Sequence, residues 1–516
     1  MKILYKSIFF TALLIAFGCN DDFENPVENT VITSGDANFS KYVAIGNSLT
    51  SGYADNALYQ SAQQNSFPAI LAAQMSAAGG GAFTQPLMLD DIGGFADLGV
   101  PGRLTLQIIN GSPAPVPTPA QSAFQSSFVQ GPFNNMGVPG AKSFHLVAQG
   151  YGNPAGIAQG LANPYFARMA TSAQTSIMAD VMAQQPTFFT LWIGNNDVLS
   201  FATSGGVGTN QAGNLNPATY GGNDITDPQV YASVMQQIIE ALAVNAGAKG
   251  AVANLPNVTS IPYFTTVPVK PLTADNAAYA AQIPMLNQFF GSLNQVFDAL
   301  NVPERKINFD AGGASGIVFV DDSLPDLSAQ ISAVLTQVGV PAAQAQLMGM
   351  TYGQVRQSKE GDLIPLTMSS RIGSLDTNRL ATLMQMGLSQ EQAGQLSVVG
   401  LTYPHDEFVL SQDEINQITT AVNQFNGIIA QLAGNYGLAL VDMNRNMGNL
   451  QSGITYNGVG YNAGFITGGA FSLDGVHLNG RGYALVANYF IDAINHKFGS
   501  NLRQVNVNNY SGITLP

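Results

Sequence analysis

Three residues in two distant segments have the types that serine-based catalysis needs. Ser48 lies in the segment Gly46–Tyr53, directly after a short apolar run, and Asp474 and His477 lie in the segment Ser472–Asn479. A serine hydroxyl is a weak nucleophile at neutral pH, so it needs a base within hydrogen-bond reach and a third group that fixes the tautomer of that base. A three-residue spacing lets a carboxylate reach the imidazole of the same turn. We therefore expect Ser48 as nucleophile, His477 as base and Asp474 as the group that orients the base.

Two further segments follow in the order that a known family of hydrolases has. Asn135–Ala141 precedes a candidate helix, and Trp192–Asp197 follows a predicted strand. Together with the segments around Ser48 and His477, they resemble the blocks of the SGNH hydrolases, also called the GDSL esterase/lipase family. The matched blocks run from residue 43 to residue 483. The resemblance implies a three-layer α/β/α fold with a central parallel sheet of the flavodoxin-like type.

The resemblance also implies a role for one residue in each of the two added segments. In the family, a glycine of the second block and an asparagine of the third help to form the oxyanion hole, and these are Gly140 and Asn196 here. With the backbone N–H of Ser48, they would supply three donors to the oxygen that becomes negative during acyl transfer. Gly140 is preferred to Gly137 because it follows Pro139 at the start of the candidate helix. The implied reaction is ester hydrolysis through an acyl-enzyme.

The first block departs from the family at one position. The family's first block usually reads G-D-S, whereas Asn47 replaces the aspartate in this chain. Because Asn47 precedes Ser48 on a tight strand-to-helix turn, the departure questions the local turn geometry more than the identity of the nucleophile.

Each of these residues also has a purely structural explanation. Ser48 alone is a serine in a turn after a strand, Asn196 could cap a helix, and Gly140 could simply permit a turn. His477 is one of four histidines, and the others are His145, His405 and His496. His496 is near the end of the last predicted helix, where a cation favours the helix dipole. The four segments in the correct order, in a chain of alternating strands and helices, favour the catalytic interpretation.

Other functional classes fit the sequence less well. A surface lipoprotein that binds carbohydrate or lipid in the same cleft without turnover is an alternative, but a pure binder has no need for Ser48, Asp474 and His477 together. The chain contains no G-x-S-x-G motif, which argues against the nucleophile elbow of an α/β-hydrolase. It also lacks H-E-x-x-H or a comparable ligand spacing, so we expect neither a metal site nor a cofactor.

Apolar runs and helical periodicity place these segments on a predicted α/β framework. Buried strands are predicted at Lys41–Ile45, Phe188–Ile193, Gly250–Asn254 and Leu438–Asp442. Between them, Asp227–Pro228 opens one helix, and a capping-box pattern of Ser411 with Glu414 opens another that Gly434 closes. Strands that alternate with amphipathic helices indicate a parallel sheet covered on both faces. In such sheets, ligands bind beyond the carboxyl ends of the strands, which is where the candidate segments begin.

Two long segments do not fit that alternation. Residues from about 79 to 131 are rich in Gly and Pro and predict an extended excursion, and residues from about 302 to 402 predict an insertion with helix-like stretches at Leu324–Val338 and Leu380–Leu396. Long segments of this kind are often lids or binding surfaces. Candidates for an acyl-chain pocket include Met348, Met350, Met384 and Met386, although methionine more often fills gaps in a core. Lipids, short-chain esters and acetylated glycans all stay open as ester substrates.

The N-terminal segment predicts export and anchoring. Residues 1–18 combine two lysines, a short apolar stretch and Gly18, which is the layout of a secretory signal peptide. Cys19, the sole cysteine, resembles the lipidated cysteine of bacterial lipoproteins, which implies attachment to a membrane, with the outer membrane or cell surface as the location. Asn20–Ser40 is polar and predicts a flexible tether. Its acidic start resembles a surface-export signal or is a solvated linker face.

Composition sets the remaining limits. The 516 residues are 46% hydrophobic and only 10% charged, which predicts a soluble globular domain over residues 41–516 with a surface of low charge. With 18 basic and 32 acidic residues, the net charge is −14, which repels phosphate backbones and excludes nucleic acid as a partner. A single cysteine excludes an intrachain disulfide and a Cys-rich metal site.

Overall fold

A five-stranded parallel sheet forms the centre of the structure, a computed structural model that describes residues 31–109 and 111–515. The strands in these residues are β1 Tyr42–Gly46, β2 Leu104–Ile109, β3 Ser112–Pro117, β4 Asn135–Gly137, β5 Phe188–Trp192, β6 Lys249–Ala253, β7 Leu272–Thr273, β8 Ala314–Ser315, β9 Val318–Val320, β10 Val355–Gln357, β11 Ala439–Val441, β12 Ile454–Tyr456 and β13 Val459–Tyr461. The order across the central sheet is β11-β6-β5-β1-β4, and all neighbours are parallel. The direction of winding reverses between β1 and β5, which is where doubly wound sheets bind their ligands.

Helices cover both faces of this sheet. The α-helices of the described residues are α1 Ser48–Ser51, α2 Gln60–Gln64, α3 Phe67–Ser76, α4 Pro164–Ala167, α5 Ile177–Ala183, α6 Asn196–Thr203, α7 Pro228–Ile239, α8 Pro262–Thr265, α9 Ala277–Ala280, α10 Ile283–Ala299, α11 Ser328–Gln337, α12 Ala342–Tyr352, α13 Thr377–Gln385, α14 Gln390–Gln395, α15 Gln412–Asn435, α16 Met443–Ser452 and α17 Gly480–Phe498. Val43 and Ile45 of β1 belong to the core that α7 and α15 complete, whereas Tyr42 and Ala44 belong to the core of α3 and α17. This alternation of side chains lets one strand be buried on both faces.

The predicted strands are found as β1, β5, β6 and β11, with ends shifted by a residue or two. The predicted start of α7 is confirmed, because the side chain of Asp227 accepts hydrogen bonds from the N–H groups of Gln229 and Val230. The capping box of α15 is also confirmed, with reciprocal hydrogen bonds between Ser411 and Glu414. These elements were predictable because their signals are local.

Two helix predictions are wrong. Gly434 does not end α15, which continues to Asn435, because an isolated glycine can keep a helical backbone at a cost of about 1 kcal/mol. The predicted helical stretch Leu380–Leu396 is divided into α13 and α14. Gly387, between them, has a φ of 95°, a left-handed conformation that a continuous α-helix does not allow.

A third hydrophobic core lies in the region of the predicted insertion. It joins α10, α11 and α12 to β9 and β10, and its largest fully buried member is Tyr352. This core begins at Val267 and ends at Val409, so it extends beyond residues 302–402 on both sides. The earlier excursion, near residues 79–131, contains the antiparallel hairpin β2–β3 and a small core around Phe95 and Phe124.

The N-terminal predictions lie largely outside the described residues. These are the signal peptide of residues 1–18, the lipidated Cys19 and the tether as far as residue 30. The end of the predicted tether is packed against the fold, because Phe39 is 1% exposed and the N–H of Asp36 donates to the carbonyl oxygen of Phe498. Among the helices of the described residues, none combines the length and the apolar character that crossing a membrane requires.

Candidate active site

Ser48 lies on the first turn after β1, at the carboxyl edge of the central sheet. β1 ends at Gly46, and Asn47 caps α1 by accepting a hydrogen bond from the N–H of Leu49 at 3.0 Å. Ser48 is therefore the first residue of a one-turn helix, and its side chain is mostly buried. Its Oγ lies 2.8 Å from Nε2 of His477, although 429 residues separate the two in the sequence. This is the distance at which an imidazole can accept a hydroxyl proton.

Asp474 and His477 meet within one short loop between β13 and α17. Oδ2 of Asp474 lies 2.9 Å from Nδ1 of His477. With the imidazole proton on Nδ1, that N–H donates to the carboxylate and Nε2 is free to accept from the Ser48 hydroxyl. The structure thus brings the three residues named from the sequence into one chain of hydrogen bonds, in the order serine, histidine, aspartate.

Asp474 is surrounded by hydrogen-bond donors. Its Oδ1 accepts from the N–H groups of Val476 and His477, both at 2.8 Å, and from Oγ of Ser472 at 3.0 Å. Its Oδ2 accepts from the N–H of Asn56 at 2.9 Å as well as from the His477 ring. Burial by itself would raise the pKa of Asp474, but the neighbouring His477 and these hydrogen bonds bring that pKa well below its ordinary value. The carboxylate is therefore ionised at neutral pH and fixes the orientation of the ring.

Sequence reasoning missed the turn that holds this loop in place. Asp55 accepts from the N–H of Leu473 at 2.9 Å and its own N–H donates to Oγ of Ser472 at 3.0 Å, while Asn56 reaches Asp474. Asp55 and Asn56 have φ angles of 51° and 61°, a left-handed conformation that Asp and Asn tolerate better than most residues. The adjacent Asp-Asn pair was the only signal of this turn in the sequence. The ring of Tyr53, at the start of the same turn, lies 4.7 Å from the His477 ring.

Gly140 lies in a turn and not at the start of a helix, so that part of its sequence assignment is wrong. The N–H of Ala141 donates to the carbonyl oxygen of Val138, and Pro139 and Gly140 occupy the two central positions. A φ of 79° at Gly140 is the value that the third position of a type II turn requires, and proline suits the second. The helix that follows is a 3₁₀ helix, Ser143–Leu146. The turn therefore requires a glycine at position 140, independently of whether the Gly140 N–H is an oxyanion donor.

Asn196 begins α6 beyond the carboxyl end of β5, and its side chain points back to the Gly140 turn. Its Nδ2 donates to the carbonyl oxygen of Ala141 at 2.9 Å, which leaves the second N–H of this amide for another acceptor. Within the described residues, the backbone N–H groups of Ser48 and Gly140 have no acceptor. Ser48 and Asn196 line one small cavity of about 40 Å³ together with His477. Gly140 does not line that cavity.

Asp197 ties the turn to the helix. This fully buried carboxylate accepts hydrogen bonds from the N–H and the Oγ of Ser143, at 2.8 and 2.7 Å. Burial raises the pKa of Asp197, and the two hydrogen bonds oppose that increase. Asn196 and Asp197 therefore hold the segment after Gly140 from two adjacent positions.

Asn47, which departs from the family's first block, also has a defined role. Its Oδ1 caps α1, as an aspartate could, and its Nδ2 donates to Oδ1 of Asn195 at 3.2 Å. An aspartate would turn an acceptor toward Asn195 instead, and the Asn195 amide would have to rotate. The turn that carries Ser48 is thus formed with asparagine at this position.

A cleft of about 710 Å³ opens beside Asp474 and His477. One part of its lining comes from the hairpin β2–β3, through Leu104, Pro115 and Pro117. Another part comes from the 3₁₀ helix Leu366–Ser370 in the third core region. The two long segments of the sequence therefore meet at the loop that carries Asp474 and His477. The remaining lining residues include Leu199, Tyr263, Phe465, Leu473 and Val476.

Several candidates from the sequence do not reach this cleft. Met350, Met384 and Met386 are exposed, and Met348 packs against the third core, so the methionines do not form an acyl-chain pocket there. His145 is half-buried, with Nδ1 accepting from the N–H of Lys142, and desolvation of the ring lowers its pKa to about 4. His496 lies in the last turn of α17, and His405 precedes the 3₁₀ helix Asp406–Phe408.

A larger cavity of about 920 Å³ lies elsewhere, along Phe128–Asn134 and Arg168, and has none of the three site residues in its lining. Size alone does not identify the functional site here, because Asp474 and His477 line the smaller cleft, and Ser48 lines the cavity of about 40 Å³ that shares His477 with it. In the described part of the chain, one group of potential metal ligands occurs, Asp322, Asp406 and Glu414, and none of them lines the cleft.

Comparison with family models, with curated proteins and with solved structures gives no match for this chain.

Proposed function

We propose that this protein is a serine esterase of the SGNH type that hydrolyses carboxylic esters. The observation that carries the proposal is the chain of contacts from Ser48 Oγ to His477 Nε2, at 2.8 Å, and from His477 Nδ1 to Asp474 Oδ2, at 2.9 Å. A chain of this kind activates a serine and appears on unrelated folds. The parallel sheet with its switch point beside Ser48 supports the flavodoxin-like architecture that the sequence resemblance implies.

In the acylation step, Ser48 Oγ attacks the carbonyl carbon of the ester while His477 Nε2 takes the hydroxyl proton. The carbonyl oxygen becomes negative, and the N–H of Ser48 and the free N–H of the Asn196 amide are donors beside the small cavity that they share. When the tetrahedral intermediate collapses, the bond to the alcohol oxygen breaks and the protonated His477 gives its proton to that oxygen. The products of this step are a free alcohol and an acyl group on Ser48.

In the second step, water repeats the reaction on the acyl-enzyme. His477 takes one proton from the water, the remaining hydroxide attacks the acyl carbon, and the Ser48 oxygen leaves with the proton that His477 returns. Asp474 stays ionised throughout and stabilises the imidazolium form of His477.

The proposal includes a membrane anchor at Cys19. The layout of residues 1–19, with two lysines, a short apolar stretch and Cys19 directly after Gly18, supports it. A Cys19→Ser variant should move from the membrane fraction to the soluble fraction, since acyl chains contribute about 0.8 kcal/mol per buried CH₂. Parent protein without lipid by mass spectrometry would contradict this part alone.

The test of the esterase is turnover of nitrophenyl esters of rising acyl length by the parent, Ser48→Ala and Ser51→Ala proteins. Ser51 is the matched control, because it lies on the same turn but its Oγ donates to the backbone oxygen of Ser48 and not to His477. Ser48→Ala should lower kcat by at least about 10⁴-fold, and Ser51→Ala should stay within a few-fold of the parent. Turnover by Ser48→Ala near the parental rate would remove Ser48 from the mechanism. Binding without turnover by the parent would favour the carbohydrate- or lipid-binding alternative.

A further inference from the structure

Three carboxylates from separate parts of the chain meet away from the catalytic cleft. Asp322 follows β9, Asp406 begins the 3₁₀ helix Asp406–Phe408, and Glu414 lies in the first turn of α15. One oxygen from each carboxylate lies within 4.8 Å of the others. Asp322 is exposed, Asp406 is half-buried and Glu414 is buried, so the cluster runs from the surface into the protein.

Glu414 gives this cluster a feature that an ordinary acidic patch lacks. The residue is only 4% exposed, and its Oε2 accepts from the N–H of Ser411 at 2.6 Å. Its Oε1 is shielded from solvent and has no hydrogen-bond partner among the described residues. Oε1 lies against the backbone of Gly206, where any side chain would overlap it. A buried, unpartnered carboxylate oxygen is costly, and the cost falls when the group is protonated or when a cation from outside the chain binds it.

The nearby cations do not compensate the cluster. Arg356 pairs with Asp321 at 2.5 Å and Asp362 at 2.6 Å, and Arg371 pairs with Glu407 at 2.9 Å. In the part of the chain that the structure describes, none of the three clustered carboxylates has a lysine or arginine partner. Burial, together with the neighbouring carboxylates, raises the pKa of Asp406 to about 7 and that of Glu414 to about 8.

We propose that Asp322, Asp406 and Glu414 bind a calcium ion. All three donors are carboxylate oxygens, which calcium prefers, and no cysteine or histidine belongs to the group, which disfavours zinc. Calcium binds oxygens at about 2.3–2.6 Å, so oxygens on one ion lie up to about 5 Å apart, whereas magnesium requires a tighter, octahedral arrangement. Water completes the coordination on the exposed side of Asp322. This site departs from the sequence expectation that no metal is bound.

The position of the ion gives it a structural role. Asp322 and Asp406 belong to the region of the third core, and Glu414 begins the helix that packs on the central sheet through Ile418 and Val422. A calcium ion would therefore fasten the third core region to the sheet domain at the start of α15. Because the ion binds only the folded arrangement, it raises the unfolding temperature by mass action.

The test is calcium binding to the full-length purified protein after treatment with a chelator, measured by isothermal titration calorimetry and by thermal unfolding. Asp322→Asn and Asp406→Asn each remove one ligand charge. Asp413→Asn is the matched control, because Asp413 is exposed, carries the same charge and lies beside Glu414 in the same helical turn.

With millimolar calcium, the unfolding temperature of the parent and of Asp413→Asn should rise by several degrees. Asp322→Asn and Asp406→Asn should bind calcium at least tenfold more weakly and lose most of that rise. The proposal is overturned if the parent shows neither binding heat nor a shift, or if Asp413→Asn loses affinity as much as the ligand variants. The proposal is also overturned if Asp406→Asn raises the unfolding temperature and calcium does not change the unfolding temperature of the parent. The cluster would then consist of protonated carboxyl groups without an ion.

Discussion

Asp474 beside His477 and Glu414 at the start of α15 are both buried carboxylates, yet their environments are opposite. Asp474 accepts hydrogen bonds on both oxygens, from the backbone of its own loop, from Ser472, from Asn56 and from His477. Glu414 accepts from Ser411 on one oxygen, and its other oxygen has no partner in the described residues. The pKa of Asp474 lies below its ordinary value, whereas burial raises that of Glu414 to about 8.

The difference shows that the role of a buried carboxylate depends on the hydrogen-bond donors around it and not on burial alone. An ionised carboxylate is stabilised inside a protein when N–H and O–H groups already point at it, which suits a residue that must orient an imidazole. A buried carboxylate without such donors, next to others of like charge, is suited to an ion that arrives from outside. Variants at Asp474 and in the carboxylate cluster therefore test the proposed catalytic role and the proposed cation-binding role separately.

The largest effect is expected when Asp474, which accepts hydrogen bonds from the donors of its loop, is replaced by an asparagine. Asp474→Asn should keep the fold and lower kcat on the order of 10⁴-fold, because an amide that donates toward Nδ1 favours the wrong tautomer of His477. Steady-state turnover of a nitrophenyl ester, with the fold checked by circular dichroism, measures this. A folded Asp474→Asn protein with kcat within tenfold of the parent would mean that His477 is oriented by something else.

The next effect concerns the donor proposed to meet the developing oxyanion. Asn196→Ala should lower kcat about 10²–10³-fold with a modest change in KM, since the oxygen becomes strongly negative only in the transition state. Asn195→Ala is the control, because that amide faces Asn47 and not the Ala141 carbonyl. If the two variants exchange their behaviour, or if Asn196→Ala changes only KM, the assignment of the oxyanion donor is wrong.

A smaller effect is expected on stability, and its sign depends on pH. The folded-state pKa of Asp474 is lowered, so its ionised form stabilises the fold above about pH 4, and that stabilisation is lost as the pH falls toward the folded-state pKa. Asp474→Asn should therefore be less stable than the parent at pH 7, on the order of 2 kcal/mol, and the gap should shrink by pH 3. Calorimetric or denaturant unfolding at both values measures it. A gap that widens in acid would contradict the lowered pKa.

The smallest effect on catalysis is expected from the carboxylate cluster. Asp322→Asn, an exposed substitution outside the cleft, should leave kcat/KM within about twofold of the parent at 25 °C, as surface changes usually do. The same protein should have lost its calcium response. A tenfold loss of activity in Asp322→Asn would show that the carboxylate cluster is coupled to the loop of Asp474 and His477. The two regions would then not be independent.

The parts of the molecule that could be predicted from the sequence are those with local signals. The strands around Val43 and Phe189 are continuous apolar runs, the start of α15 carries a capping box, and Ser48, Asp474 and His477 lie in short motifs whose order follows a known pattern. The structure places these three side chains in contact although they come from opposite ends of the chain.

The remaining parts depend on contacts between distant segments, which no local pattern records. The third core could not be delimited because its first members, around Val267, are joined to Val409 only by packing. The support that Asn56 gives to Asp474 spans 418 residues, and only an Asp-Asn turn signal pointed to it. Asp322, Asp406 and Glu414 lie too far apart in the sequence to resemble any metal-binding motif.

The cleft beside His477 has walls that the central sheet does not supply. Ser48, Asp474 and His477 lie in turns at the edge of the central sheet, whereas Leu104 and Pro115 come from a hairpin and Leu366–Ser370 from the third core region. Under the proposed function, the groups that carry out the reaction and the side chains that contact the rest of the ester therefore belong to separate segments of the chain. Replacing the hairpin β2–β3 with one of different length or side chains should change which ester is hydrolysed. The hydrogen bonds among Ser48, His477 and Asp474 should stay as they are. Under that proposal, the substrate preference can change while Ser48, His477 and Asp474 stay the same.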